Sequence, residues 1–138
     1  MRQASTQLTI RTPGQGLHEF TRDVVSWVAQ SGIDEGLLTL FLRRTSASLL
    51  IQENAAPAAR RDLERYFATV APESRDYEHD DEGPDDMPAH LRAALTATSL
   101  SIPVLNARPV LGTWQGIYLF EHRHAPHRRQ VALHLLGE

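Results

Sequence analysis

One acidic segment of the chain combines the side chains that divalent metal ions bind. Eight of the 17 acidic residues lie within the 14 positions of residues 73–86, ESRDYEHDDEGPDD. His79 lies inside this segment, and His90 follows shortly after it. Because crowded carboxylates repel one another, the cluster indicates either a solvated loop or a divalent cation bound by carboxylate and imidazole groups.

The candidate metal ligands in this region are His79, Glu82, Asp85, Asp86 and His90. His79 and His90 are too far apart in sequence to share one helix face, so a joint site requires the loop to fold back. Their spacing matches no compact zinc motif. The sequence alone therefore leaves both interpretations open.

Two arginine-containing segments could bind an anion. Arg44 and Ser46 lie in RRTSAS, between two apolar segments, and Arg123 and Arg128 lie within residues 121–129, which we predict to form a hairpin turn. Guanidinium groups bind phosphate oxygens in bidentate geometry. An ordinary polar turn is the alternative at both places.

Polar residues also flank two other apolar segments. Glu53 and Asn54 could orient a substrate or bind a cation, although Asn54 could instead cap the helix that begins near Pro57. Trp114 and Gln115 lie between two glycines, a pattern that indicates a bulge or the close approach of another chain or a ligand. A core position for Trp114, with Gln115 as its hydrogen-bonding neighbour, is the more common alternative.

The composition limits the class of protein. The chain has 138 residues, a net charge of −3 and no cysteine, which favours one domain and excludes disulfides and thiolate metal sites. Nucleic-acid binding is not expected, because it needs an excess of lysine and arginine. The N-terminus does not resemble a signal peptide, and no apolar run approaches the ~20 residues of a membrane helix. We therefore expect a cytoplasmic protein without a membrane partner.

The elements that must position these residues follow from hydrophobic periodicity. Helices are predicted at residues 18–30, 57–71 and 88–95, and strands at residues 7–10, 37–42, 49–51, 100–105, 109–111, 114–121 and 129–136. Segment 37–42 is nearly all apolar, so we expect it to be buried on both faces and to pair with segment 49–51. Helices come early and strands late, which predicts a single compact α+β domain with a mixed or mostly antiparallel sheet.

Four segments in this order resemble the YjbQ-like family, whose members are described as having a secondary thiamine-phosphate synthase activity. The segments are TSASLLIQENAAP (Thr45 to Pro57), EGPDDMPAH (Glu82 to His90), SLSIPV (Ser99 to Val104) and LGTWQGIYLFEHR (Leu111 to Arg123). The resemblance extends from about Leu8 to Gly137. It implies a compact α+β fold with a mixed sheet, a homotrimer, and one pocket for a metal or phosphate group. The residues that carry over to this pocket are Ser46, Glu53, Asn54, His79, Glu82, Asp86, His90, Trp114, Gln115 and Glu121.

The activity implied by the resemblance is the condensation of hydroxymethylpyrimidine pyrophosphate with thiazole phosphate. That reaction calls for a divalent ion, zinc or magnesium, which His79, Glu82, Asp86 and His90 could bind. Arg44, Arg123 and Arg128 could hold phosphate oxygens, and Glu53 could position the pyrimidine amine. The candidate catalytic residues are Glu53, Asp86, His90 and Glu121. The alternative is a metal-binding or anion-binding protein without turnover, such as a regulator.

The chain departs from the pattern of the family in three segments, at four positions. Arg44 occupies a position that is usually histidine, and a guanidinium has no free lone pair for a metal. Ala56 and Ala58 occupy positions that are usually aspartate, and Ala107 occupies one that is usually glycine. The first two changes add positive charge and remove negative charge, which favours a more anionic ligand.

Overall fold

The computed structural model describes residues 1–74 and 76–138 of the chain. The helices described are α1 (Thr21–Gln30), α2 (Pro57–Val70) and α3 (Asp86–Leu95). The strands described are β1 (Arg2–Thr12), β2 (Gly16–Glu19), β3 (Gly36–Leu42), β4 (Ala47–Glu53), β5 (Ser99–Leu105), β6 (Arg108–Pro109), β7 (Gln115–Glu121) and β8 (His127–Gly137). The predicted α+β fold is confirmed, and the strand pairs described are antiparallel.

Two antiparallel sheets enclose the main core. The larger sheet has the strand order β1-β8-β3-β5-β6, and the smaller one has the order β2-β7-β4. Apolar side chains from both sheets pack together with α1, among them Leu38, Leu49, Leu133 and Val24. Because burying one such side chain stabilises the fold by roughly 1.5–3 kcal/mol, this packing fixes how the sheets face each other.

Strand β7 lies in the middle of the smaller sheet and is buried on both faces. Ile117 and Leu119 belong to the main core, whereas Tyr118 and Phe120 pack in a second apolar cluster. The ring of Phe120 makes an edge-to-face contact with Phe67 of α2, with centroids 5.1 Å apart. The smaller sheet is therefore covered by the core on one side and by α2 on the other.

The expectation that segment 37–42 is buried on both faces is wrong. In β3, Leu38 and Leu40 are buried, whereas Leu37 and Phe41 are exposed on the outer face of the larger sheet. The strand pairs with β5 and β8 rather than with segment 49–51, which belongs to β4 in the other sheet. A continuous apolar run does not reveal which of its faces is covered.

Two further expectations about local structure are wrong. Residues 16–19 form β2, so α1 begins at Thr21 instead of residue 18. Residues 122–126 do not form a hairpin turn, because they carry the chain from β7 in the smaller sheet to β8 in the larger one. Strand partners are decided by distant segments, and a local turn pattern contains no information about them.

The turn between β5 and β6 shows why glycine suits position 107, where this chain has alanine. Asn106 and Ala107 have φ values of 54° and 59°, the backbone of a type I′ turn, whose second central residue is usually glycine. The left-handed region costs an alanine roughly 1–2 kcal/mol. Glycine would therefore suit position 107 better than the alanine that this chain has.

Candidate metal and anion site

Two histidines and one aspartate converge where the acidic loop meets α3. Asp86 is the first residue of α3, and His90 lies one turn later on the same face. Asp86 Oδ2 lies 3.2 Å from His90 Nε2 and 2.9 Å from His79 Nε2. One ligand atom from each of the three residues lies within 4.8 Å of the others. The loop thus folds back and joins His79 to His90, with ring centroids 5.7 Å apart.

Other carboxylates surround the exposed side of His79. Glu82 Oε2 lies 3.0 Å from His79 Nε2, and Asp81 Oδ1 lies 3.6 Å from His79 Nδ1. The hydrogen bond with Asp86 and the charges of Asp81 and Glu82 raise the pKa of His79 above its ordinary value, although desolvation opposes them. The predicted ligands His79, Glu82 and His90 therefore lie together, and Asp86 lies at their centre.

Arg123 holds the carboxylates of Asp85 and Asp86 in place. It donates from Nη1 to Asp86 Oδ1 at 2.7 Å, from Nε to Asp85 Oδ2 at 3.1 Å, and from Nη2 to the carbonyl of Glu82 at 3.0 Å. Burial alone would raise the pKa of Asp85, but the His124 amide and the Arg123 guanidinium outweigh it and lower that pKa. Asp86 is only 4% exposed, so its orientation is fixed by this arginine.

A polar cleft of about 430 Å³ opens beside the cluster. Glu82, Asp86 and His90 line it together with residues of the basic segments. These basic and hydroxyl residues are Arg44, Thr45, Ser46, Arg123, His127, Arg128 and Arg129. A cleft with carboxylate and imidazole groups beside guanidinium groups can accommodate a cation and an anion side by side.

A buried ion pair supports the floor of the cleft. Glu121 is fully buried and accepts hydrogen bonds from Arg129 Nε at 2.8 Å and from Thr12 Oγ1 at 2.6 Å. Arg129 also donates to Ser46 Oγ at 3.0 Å. Burial alone would raise the pKa of Glu121, but these hydrogen bonds and the charge of Arg129 lower it. Glu121 thus holds β7, β8 and the Ser46 segment together and does not reach the cleft itself.

His122 is a buried neutral histidine next to this ion pair. Its Nε2 lies 2.9 Å from Ser48 Oγ, whereas Nδ1 has no hydrogen-bond partner among the described residues. Burial, followed by the positive charges of Arg92 and Arg129, lowers its pKa to about 3. His122 therefore stays uncharged at neutral pH and contributes packing against Phe120 instead of charge.

The remaining predicted site residues lie at the other end of the β4–β7 pair. Ala47 pairs with Glu121 at the cleft, and Glu53 pairs with Gln115 six residues further along. At about 3.4 Å per residue, the two ends are roughly 20 Å apart. Within one chain, Glu53 and Gln115 therefore lie outside the cleft.

Side chains at this second end bind one another or the backbone. Glu53 Oε2 accepts hydrogen bonds from the amides of Ala55 and Ala56, which precede α2. Asn54 donates to Glu19 Oε2 at 3.0 Å, and Gln115 accepts from the Gly112 amide at 2.7 Å. The interpretation of Asn54 as a cap of α2 is wrong, since no side chain caps that helix.

Trp114 and Gly116 complete the second end. The core position considered for Trp114 is wrong, because its side chain is 63% exposed at the start of β7. At Gly116 the group that approaches closely belongs to the same chain, since a Cβ there would lie 2.5 Å from Glu19 Oε2 and 3.0 Å from Asn54 Cβ. The prediction that another chain or a ligand approaches these glycines stays a prediction.

Comparison with known proteins places the chain in a family. The family model described as UPF0047 protein YjbQ-like matches residues 6–138. The chain belongs to the YjbQ/UPF0047 family. It is 52% identical to UPF0047 protein sll1880 of Synechocystis, over 99% of this chain and 94% of that protein. It is 44% identical to UPF0047 protein YjbQ of Escherichia coli O157:H7, over 95% of this chain and 96% of that protein.

Solved structures of this family share the fold. A YjbQ/UPF0047 protein of Clostridium acetobutylicum is 31% identical, with a TM-score of 0.87 over 95% of this chain and 99% of that one. A conserved hypothetical protein of Thermus thermophilus is 33% identical, with a TM-score of 0.85 over 95% of this chain and 99% of that one. The described helices include none that is long and apolar enough to cross a membrane.

Sequence reasoning missed several residues that build the site. Asp85, Thr12 and Arg129 hold the metal-type cluster and the cleft floor in place. Thr12 was not predicted, and no pattern in the sequence indicated the ion pairs that Asp85 and Arg129 form within the fold. The four-residue spacing of Asp86 and His90, just after a helix start, was a usable signal for a shared helix face. No local signal reveals Thr12, because its partner Glu121 is 109 residues away.

Proposed function

We propose that this chain is a metal-dependent enzyme acting on a small phosphorylated metabolite. The observation that carries the proposal is the cluster of His79, Asp86 and His90, of which Asp86 and His90 line an arginine-lined cleft. Two imidazoles and a carboxylate favour zinc over magnesium, which prefers oxygen ligands alone. The hydrogen bond from Arg123 to Asp86 would serve as the outer contact that orients a ligating carboxylate.

The residues of the cleft would have different roles in binding the phosphate group. A bound divalent ion would polarise a phosphoryl oxygen and stabilise a leaving phosphate group. Arg128 and Arg44, which form no ion pair within the described residues, would hold the other oxygens of that group. Arg123 would keep Asp86 in position, and the buried Glu121–Arg129 pair would keep the cleft floor rigid.

The finer proposal is the thiamine-phosphate synthase reaction implied by the family resemblance. It is tested by following thiamine phosphate formation from hydroxymethylpyrimidine pyrophosphate and thiazole phosphate, with zinc or magnesium added. We expect a slow metal-dependent rate that His90→Ala abolishes and that Arg61→Ala, at an exposed position of α2, leaves unchanged. Equal rates in His90→Ala and the wild type would exclude the cleft as the reaction site.

A protein that binds a metal and an anion without turnover is the second candidate. It is favoured by the position of Glu53 outside the cleft and by the full burial of Glu121, because both were predicted catalytic groups. Arg44→His separates the two candidates by restoring the usual family residue. A gain in rate would support the enzyme, whereas a gain in metal affinity without turnover would favour the binding protein.

A homotrimer is also proposed, from the resemblance. Exposed apolar side chains at one end of the outer face of the larger sheet, Leu37 and its cross-strand neighbour Leu136, support a subunit contact there, eight residues along β8 from Arg128. A head-to-tail contact would in addition allow the Trp114 end of one protomer to approach the cleft of the next. Light scattering after size-exclusion chromatography tests it, and a monomer at micromolar concentration would contradict it.

A further inference from the structure

The arginines around the cleft fall into two groups. Arg123 and Arg129 bind carboxylates, so their charges are neutralised inside the fold. The second group, which we call the outer arginines, consists of Arg11, Arg43, Arg44 and Arg128. Within residues 1–74 and 76–138, none of the outer arginines forms an ion pair or a side-chain hydrogen bond.

Two outer arginines lie directly opposite each other across strands. Arg11 of β1 pairs in register with Arg128 of β8, and both side chains are exposed on the outer face of the larger sheet. Like charges at directly opposite positions destabilise a sheet. Together they border a hollow of about 330 Å³ that also includes Pro13, Pro126 and His127.

The other two outer arginines follow the end of β3. Arg43 and Arg44 line a shallow groove on the same face with Gln7 and Gln130, whose amide groups are further hydrogen-bond donors. Arg44 borders both this groove and the cleft, and Arg128 borders both the hollow and the cleft. The outer arginines therefore form one positive surface that continues from the cleft onto the sheet.

This positive surface is not a consequence of a basic chain. The protein has a net charge of −3 and 17 acidic residues, yet among the described residues no carboxylate neutralises the outer arginines. Four guanidinium groups along one continuous surface, two of them cross-strand neighbours, attract a multiply charged anion. Phosphate groups suit them because each guanidinium can bind two phosphate oxygens.

We propose that Arg11 and Arg43 extend the row of cleft arginines, Arg44 and Arg128, into a second anion subsite, so that the ligand carries at least two phosphate groups, one in the cleft and one on the outer face of the sheet. This inference rests on the proposed function, which puts the first phosphate in the cleft. It adds Arg11 and Arg43, which lie outside the cleft lining, as determinants of ligand choice. A single phosphate would leave this second subsite unused.

Inorganic tripolyphosphate and orthophosphate serve as probes for the two subsites. Their affinities for the full-length, chelator-treated protein are measured by calorimetry or phosphorus NMR. We expect tripolyphosphate to bind at least about tenfold more tightly than orthophosphate, with an affinity that falls as salt is added. The double variant Arg11→Gln/Arg43→Gln should lose about 10- to 100-fold in tripolyphosphate affinity and retain its orthophosphate affinity.

The matched control removes two exposed arginines elsewhere. Arg22→Gln/Arg61→Gln changes the net charge by the same amount and should bind tripolyphosphate like the wild type. Equal losses in the two double variants, or wild-type tripolyphosphate binding no tighter than that of orthophosphate, would overturn the second subsite. Zinc titration of the same samples tests the proposed function separately: a wild type that binds no zinc contradicts the metal site and leaves the tripolyphosphate result to stand by itself.

Discussion

The two ends of the β4–β7 strand pair differ in how they hold their polar groups. At the cleft end, Glu121 is fully buried and Arg129 is 3% exposed, and the two are joined by hydrogen bonds. At the opposite end, Asn54 and Trp114 are exposed, and the polar side chains there bind only short segments of backbone or each other. The same pair of strands thus carries one rigid charged end and one solvated end.

This difference indicates where a ligand can be bound at fixed geometry. Buried, fully paired charges orient their neighbours, and at the cleft end these neighbours include Ser46 and, through Arg123, Asp86. Solvated groups such as Trp114 can rearrange at little energetic cost. A single chain therefore offers one preorganised site, and the second end contributes to it only if another protomer brings it there.

Among variants at the two ends of the strand pair, a substitution of Glu121 should lower stability the most. Glu121→Ala leaves the buried Arg129 guanidinium without a counter-charge, which costs about 3–5 kcal/mol. Glu53→Ala, at the solvated end, removes two hydrogen bonds to backbone amides and should cost about 1 kcal/mol. Urea unfolding measures both, and similar losses in the two variants would contradict the contrast.

His122, at the cleft end, should make a smaller contribution to stability, and this contribution depends on pH. Its pKa is about 3 in the folded chain against 6.5 ordinarily, so between these values the unfolded chain binds a proton that the folded chain does not. Stability should therefore fall by up to about 1.4 kcal/mol per pH unit below 6.5 because of this residue. His122→Gln should flatten the decline of the unfolding free energy with falling pH, whereas His134→Gln should not. An unchanged slope in His122→Gln would show that His122 is not neutral in the fold.

The smallest change in the unfolding free energy is expected at the solvated end. Trp114→Ala removes an exposed side chain and should change the unfolding free energy by no more than about 0.5 kcal/mol. The matched variant Phe120→Ala, in the same strand but buried, should cost about 3–5 kcal/mol. A loss of several kcal/mol in Trp114→Ala would mean that this end is packed and not solvated.

Local signals in the sequence were sufficient to predict several helices and strands. The helix α2 begins at Pro57, as predicted, because proline suits the first helical position and apolar residues then recur with helical spacing. The strand predicted at residues 129–136 is likewise present within β8, and its alternating apolar residues Val131, Leu133 and Leu135 are all buried. Such signals depend on residues within a few positions of each other.

The assembly of the candidate site depends on contacts between distant residues. Arg123 meets Asp86 across 37 positions, and Thr12 meets Glu121 across 109 positions. Contacts between such distant positions depend on which strands pair and on which sheet each strand joins. No local pattern in the sequence indicates that β7 and β8 belong to different sheets. For the same reason, the sequence grouped Glu53 and Gln115 with Glu121, although the register separates them.

Zinc binding by the purified protein tests the central claim most directly. After treatment with a chelator, the wild type should bind about one zinc ion per chain, as measured by titration and elemental analysis. Asp86→Asn should bind it at least about 10- to 100-fold more weakly, whereas Glu53→Gln, at the solvated end, should match the wild type, with circular dichroism confirming that each variant is folded. A wild type that binds no zinc, or an equal loss in Asp86→Asn and Glu53→Gln, would contradict the account.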